Sequence, residues 1–185
     1  MKVYIIKSDK DLEKYRDDFG YHIKGNAKFE YSADFEGRLK VDGYLHIEAG
    51  GYIEVGGSIE AGGYIEVGGS IEAGEYIEAG GYIKVGGHIK AGRSIKAGWS
   101  IKAGGSIKAD EHIKVGGSIE AGGYIKVGGS IEAGGSIKAG WSIKAGWSIK
   151  ADEHIKVGEH IEAGGYIKAG GSIEATKGIC AKNEI

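Results

Sequence analysis

The sequence contains no proline, one cysteine, one methionine and three phenylalanines in 185 residues. Each shortage excludes something. Without proline, the 37 glycines cannot belong to a collagen-like chain or a Pro/Gly-rich linker, so they must serve a regular pattern. The lone thiol, Cys180, cannot form an internal disulfide, which suits a reducing compartment. No apolar run approaches the ~20 residues of a membrane-spanning helix, and the run within Met1–Lys7 is too short for a secretory signal core. The net charge of −2 excludes a simple polybasic nucleic-acid binder. These shortages point to a cytoplasmic protein that meets neither membrane nor nucleic acid directly.

What is present is a repeat. From Ile47 to Ile185 an isoleucine stands at every sixth position. Two residues after each comes Ala or Val, with Glu or Lys between them except at Cys180. Gly usually follows, and Tyr, Ser or His usually precedes the next Ile. On an α-helix a six-residue spacing advances about 600°, so these isoleucines would scatter around the axis. The alternation instead fits a short strand with Ile and Ala or Val inward and Glu or Lys outward. The Gly-rich pair then turns the chain, through positive φ or because stacked corners pass close together. Such a strand is stable only when stacked, so the fold class is all-β, a β-solenoid of six-residue repeats.

The repeat resembles the hexapeptide-repeat left-handed β-helix, although here the larger inward residue comes first. It is also similar to bactofilins, whose repeats form a three-sided solenoid. The resemblance covers about residues 47–185 and implies three sides, hence about 18 residues per coil. The early alternation of Tyr52, Ser58, Tyr64 and Ser70 leaves a 12-residue coil as the alternative. Val41, Phe35, Phe29 and Ile23 keep the six-residue phase backward, so residues 23–46 read as irregular first coils. Residues 1–22 read as an α+β cap. Its parts are a strand over 2–7, a helix begun at Ser8 with Leu12, Tyr15 and Phe19 on one face, and Gly20 at its end. The last units keep the pattern, and an open solenoid end is an aggregation liability unless paired. The expectation is a homodimer through Ile173, Ile179, Ala181 and Ile185.

Little in the sequence points to catalysis, and no cofactor is expected. Acyltransferases of the hexapeptide type use a His and loops extruded from the coils; no loop interrupts residues 47–185. The triplets Asp110-Glu111-His112 and Asp152-Glu153-His154 stand 42 residues apart, on different sides of any coil, so they cannot share a metal. Charge is the stronger signal. Glu48 to Gly80 carries seven acids and no base, and Gly81 to Ser118 carries seven bases against Asp110 and Glu111. The acidic band suggests Glu54, Glu60, Glu66 and Glu72, with Tyr52, Tyr64 and Tyr76, as a contact surface for a basic partner. Trp99, Trp141 and Trp147 form a second candidate patch. The expected function is a non-catalytic protein-binding scaffold. Its particular form would be an inhibitor of a nucleic-acid-binding defence protein, similar to the DNA-mimic and anti-CRISPR solenoids of mobile elements. A self-assembling, bactofilin-like structural element is the alternative, and a hexapeptide-type transferase a more distant one.

Overall fold

The computed structural model describes residues 1–48 and 50–183. Among the described residues the strands stack into three sheets of ten, nine and ten strands, parallel except where Arg16–Asp17 meets Gly20–Ile23, which form the three faces of a prism. Each coil visits face 1, then face 2, then face 3. Within the regular part Ile65 pairs with Ile83, and Ile83 with Ile101, so one coil is 18 residues. Three hexapeptides therefore close one turn, as the three-sided reading expects, and about nine turns stack along the axis. At ~4.8 Å per strand the rod is roughly 40 Å long.

The alternation follows from burial. Ile53, Ile59 and Ile65 are at most 1% exposed, and Val55, Ala61 and Val67 at most 5%. The residues between them face outward. Burying one isoleucine side chain contributes roughly 1.5–3 kcal/mol, and a column of them offsets the entropy of fixing so many short strands.

The six-residue phase does not run unbroken into the first coils. Here β1 is Val3–Ile6, β2 Arg16–Asp17, β3 Gly20–Ile23, β4 Asn26–Phe29, β5 Ala33–Phe35, β6 Arg38–Val41, β7 Leu45–Ile47 and β8 Ile53–Val55. Leu45 pairs with Ile65, and Ile47 pairs with Val67. Phe35 likewise pairs with Val55 and Val41 with Ala61. Ile47, Val41 and Phe35 thus occupy the second inward position, two residues out of phase with Ile53 and its successors. The offset of 20 instead of 18 in these pairs shows that two extra residues enter at the corner between β7 and β8. Before this seam the bulky residue comes second in several units, as in Ala27 with Phe29 and Ala33 with Phe35; after it the bulky residue comes first.

Of the two causes expected for the corner glycines, close approach holds in the regular coils and positive φ does not. Among the described residues positive φ occurs only at Gly20, Gly37 and Gly50, all before β8. In the regular coils the requirement is close approach. A Cβ on Gly86 would lie 2.1 Å from the carbonyl oxygen of Gly68 one coil below. The next corner position varies: a Cβ on Gly81 would meet nothing nearer than 3.4 Å, whereas one on Gly117 would lie 2.5 Å from the Trp99 carbonyl oxygen. Its column also holds Trp99, and equivalent positions hold Glu75, Arg93 and Trp147.

The N-terminal segment is part of the solenoid. β1 pairs with β4 on face 1, and β3 with β6 on face 3, so a boundary after residue 22 falls inside β3. Between them α1 (Asp9–Leu12) and a 3-10 turn (Glu13–Tyr15) run where later coils place a face-2 strand. The helix is shorter than the sequence suggests. Leu12 is buried and Tyr15 half-buried, but Phe19 lies outside the helix and is 72% exposed. Gly20 opens β3 rather than closing α1. At the other end Ile173, Ile179 and Ala181 are only half-buried, so the core is less covered there; Ile185 lies outside the described residues. No helix is long and apolar enough to cross a membrane among the described residues.

Candidate functional site: a charge-segregated face

With three units per coil, outward residues 18 apart share a face. On faces 1 and 3 the regular coils alternate sign quickly. Face 1 runs Glu66, Lys84, Lys102, Glu120, Lys138, Lys156, Glu174. Face 3 runs Glu60, Glu78, Lys96, Lys114, Glu132, Lys150, Lys168. No like-signed run in these stretches exceeds two, and neighbours pair: Lys84 with Glu66 and Lys96 with Glu78 at 2.7 Å, Lys102 with Glu120 at 3.3 Å, Lys114 with Glu132 at 3.6 Å.

Face 2 is different. Asp34, Glu54 and Glu72 form three consecutive acids, and Lys90, Lys108, Lys126 and Lys144 form four consecutive lysines, before Glu162. Opposite charges meet in this column only at its sign changes, where Lys90 pairs with Glu72 and Lys144 with Glu162. Asp34 and Glu54 have only acids as column neighbours; Lys108 and Lys126 have only lysines. Lys108 reaches Asp110 at 3.9 Å beside its own strand. Asp34, Glu54 and Lys126 make no ion pair among the described residues. Like charges ~4.8 Å apart on neighbouring strands oppose the fold slightly, so this face carries charge that the chain does not neutralise. The corner beside the acidic half adds Glu36 and Glu75, both exposed.

The predicted contact residues are therefore split. Glu54 and Glu72 share face 2, Glu60 lies on face 3 and Glu66 on face 1. Glu66 is held by Lys84, which keeps its carboxyl below the ordinary glutamate range by a direct hydrogen bond. Tyr52, Tyr64 and Tyr76 stand on three different corners. Tyr64 is sandwiched between Tyr44 and Tyr82, at 4.8 and 4.9 Å between ring centroids, with the ring planes nearly parallel. Tyr76 instead lies under Arg93, whose guanidinium donates to its hydroxyl at 2.9 Å. Trp99, Trp141 and Trp147 are all exposed, but again on three corners. Trp141 and Trp147 flank the Lys144 strand at either edge of face 2, whereas Trp99 stands between faces 3 and 1. Trp147 leans back onto His112, 5.5 Å between ring centroids, and lines a surface groove of about 370 Å³ with Lys96, Lys114 and Glu132. The two Asp-Glu-His triplets occupy different corners, as their spacing requires.

The serines and histidines before each strand have a structural task that the sequence leaves unread. Ser70 Oγ accepts the His88 backbone N–H at 3.0 Å, and His112 Nδ1 accepts that of Ser130 at 3.0 Å. The ladder bonds of the strands do not reach these corner donors, so side-chain acceptors one coil away satisfy them.

No family model, curated protein or solved structure matches the chain. Its class rests on the geometry, a three-sided parallel β-solenoid.

Proposed function

We propose that the protein is a rigid, non-catalytic protein-binding scaffold whose working surface is face 2. The observation that carries this reading is the segregation of charge into long like-signed runs, three acids and then four lysines, which among the described residues of the regular coils occurs on that face and not on the other two. Because the strands are fixed by a continuous buried core, the charges sit at set intervals and need little ordering on binding, which favours affinity and specificity. The acidic half, Asp34, Glu54 and Glu72 with Glu36 and Glu75 at its corner, fits a basic groove of the kind that nucleic-acid-binding proteins present. An inhibitor of such a protein is the particular form this reading takes.

The test is retention of proteins from a lysate on the immobilised chain, followed by elution with heparin as a competing polyanion. A protein retained by the wild type, released by heparin and lost with Glu54→Lys/Glu72→Lys supports the reading. Equal retention by the wild type and the variant overturns it.

A second reading, a bactofilin-like structural element built by end-to-end stacking, is favoured by the half-buried Ile173, Ile179 and Ala181. Filaments under electron microscopy, lost on Ile179→Glu, would support it.

A further inference from the structure

We infer that face 2 pairs with face 2 of a second copy of this chain, antiparallel, about a two-fold axis that passes between Glu72 and Lys90. The inference rests on the reading of face 2 as the binding surface and names an occupant for it.

Along the axis the face reads acid, acid, acid, base, base, base, base. Reversed and laid upon itself with the sign change as centre, it sets Glu72 against Lys90, Glu54 against Lys108 and Asp34 against Lys126. Two-fold symmetry makes each of these pairs twice, as an isologous interface requires. Two of the pairs draw on charges without an opposite neighbour in their own column: Asp34 and Glu54 on one side, Lys108 and Lys126 on the other. Face 3 can also be matched to itself about Glu78 and Lys96, but Lys96 and Lys114 already contact glutamates of the same face, so pairing there would exchange existing contacts for equivalent ones.

Size sets the strength. Six coils overlap, ~29 Å of axis at ~4.8 Å per coil, and a six-residue side spans at most ~20 Å. Each copy covers less than ~600 Å², short of the ~800 Å² of a standard stable interface. The pair is therefore weak and electrostatic, formed at low ionic strength and dispersed where the screening length falls to ~3 Å. In the paired state the lysines of one copy cover the acidic strip of the other, and a basic partner must displace them.

The experiment is light scattering after size exclusion, from ~1 to ~100 μM, in low salt and near 1 M salt. The wild type is expected to approach twice the chain mass in low salt and to return to the single mass in high salt. Glu54→Lys alone and Lys108→Glu alone should each raise the concentration needed for pairing by about tenfold or more, because each reversal sets like charges opposite one another in two symmetric contacts. Each also places an opposite charge in its own column, so loss of pairing is not loss of fold, which circular dichroism checks. Glu54→Lys/Lys108→Glu in one chain should restore pairing to within about threefold, since the reversed charges again meet opposites across the axis. A wild type that stays single throughout, singles that pair as the wild type does, or a double variant no better than the singles would each overturn the inference. A wild type that stays single but still retains a heparin-released protein, lost with Glu54→Lys/Glu72→Lys, would overturn the pairing and leave the proposed function standing.

Discussion

His88 Nδ1 accepts the backbone N–H of Ser106, one coil above it, at 2.9 Å, and Ser106 Oγ in turn accepts the backbone N–H of Tyr124 at 3.1 Å. Ser106 is 5% exposed, so its N–H has little access to water as a substitute. His88→Ala should cost about 1–3 kcal/mol by leaving that donor unsatisfied. His88→Ser should lose much less, because a hydroxyl accepts at the same place in other coils. Urea midpoints of the two variants check this; equal losses would mean that the imidazole acts only by its bulk.

The corner glycines make a paired test. Gly86→Ala places a methyl group against the Gly68 carbonyl and forces the coils apart locally, at about 1–3 kcal/mol. Gly81→Ala meets only ordinary contacts and should lie within about 0.5 kcal/mol of the wild type. Asp110 occupies a position equivalent to Gly86, so the backbone can adjust there, and Gly86→Ala should remain folded. Thermal melts of both variants decide between close approach and backbone conformation as the reason for glycine.

The tyrosine stack should behave as a unit. Tyr64→Ala removes two ring contacts, each worth about 0.5–1.5 kcal/mol beyond the area buried, whereas Tyr64→Phe keeps both. Burial pushes the Tyr64 phenol above its ordinary value. Ultraviolet titration should therefore lose a late-ionising tyrosine in Tyr64→Phe; an unchanged late phase would remove burial of this ring from the account.

Acid stability follows from the ion pairs between coils. Hydrogen bonds from Lys84, Lys28, Lys177 and Lys156 hold Glu66, Glu48, Glu159 and Glu174 below the ordinary glutamate range. A carboxylate with a depressed folded value contributes stability that is fully present above its unfolded value, about 4.3, and is lost as pH falls through the folded one. Denaturation midpoints should therefore hold steady from neutral pH to about 5 and fall below about 4. Because these groups are exposed or half-buried and reached by solvent, each contribution is small. Glu66→Gln should flatten part of the fall; an unchanged pH profile would remove this pair from the account.

Much of the fold is legible in the sequence. The isoleucine spacing excludes a helix, the single outward residue between two inward ones gives the strand, and Gly at the first corner position gives the turn. The head was read less well because its signals are short: Leu12 does mark a buried position, but Phe19 falls outside a four-residue helix. The seam was hidden by a coincidence of spacing. Ile47 stands six residues before Ile53, which looks like continuity, yet Ile47 pairs with Val67, because the corner between β7 and β8 takes up two extra residues. Likewise Glu54, Glu60, Glu66 and Glu72 form one band in the sequence but lie on three faces.

The sequence alone determined which side chains point inward, since alternation along a strand is local and has a period of two. Only the tertiary structure decided which outward charges are neighbours, because that depends on how many strands close one coil and on where extra residues shift the register. Closure at 18 residues sets Asp34, Glu54 and Glu72 in line with Lys90, Lys108 and Lys126. Strand stacking at ~4.8 Å then makes neighbours of residues that the chain keeps 18 or 20 apart.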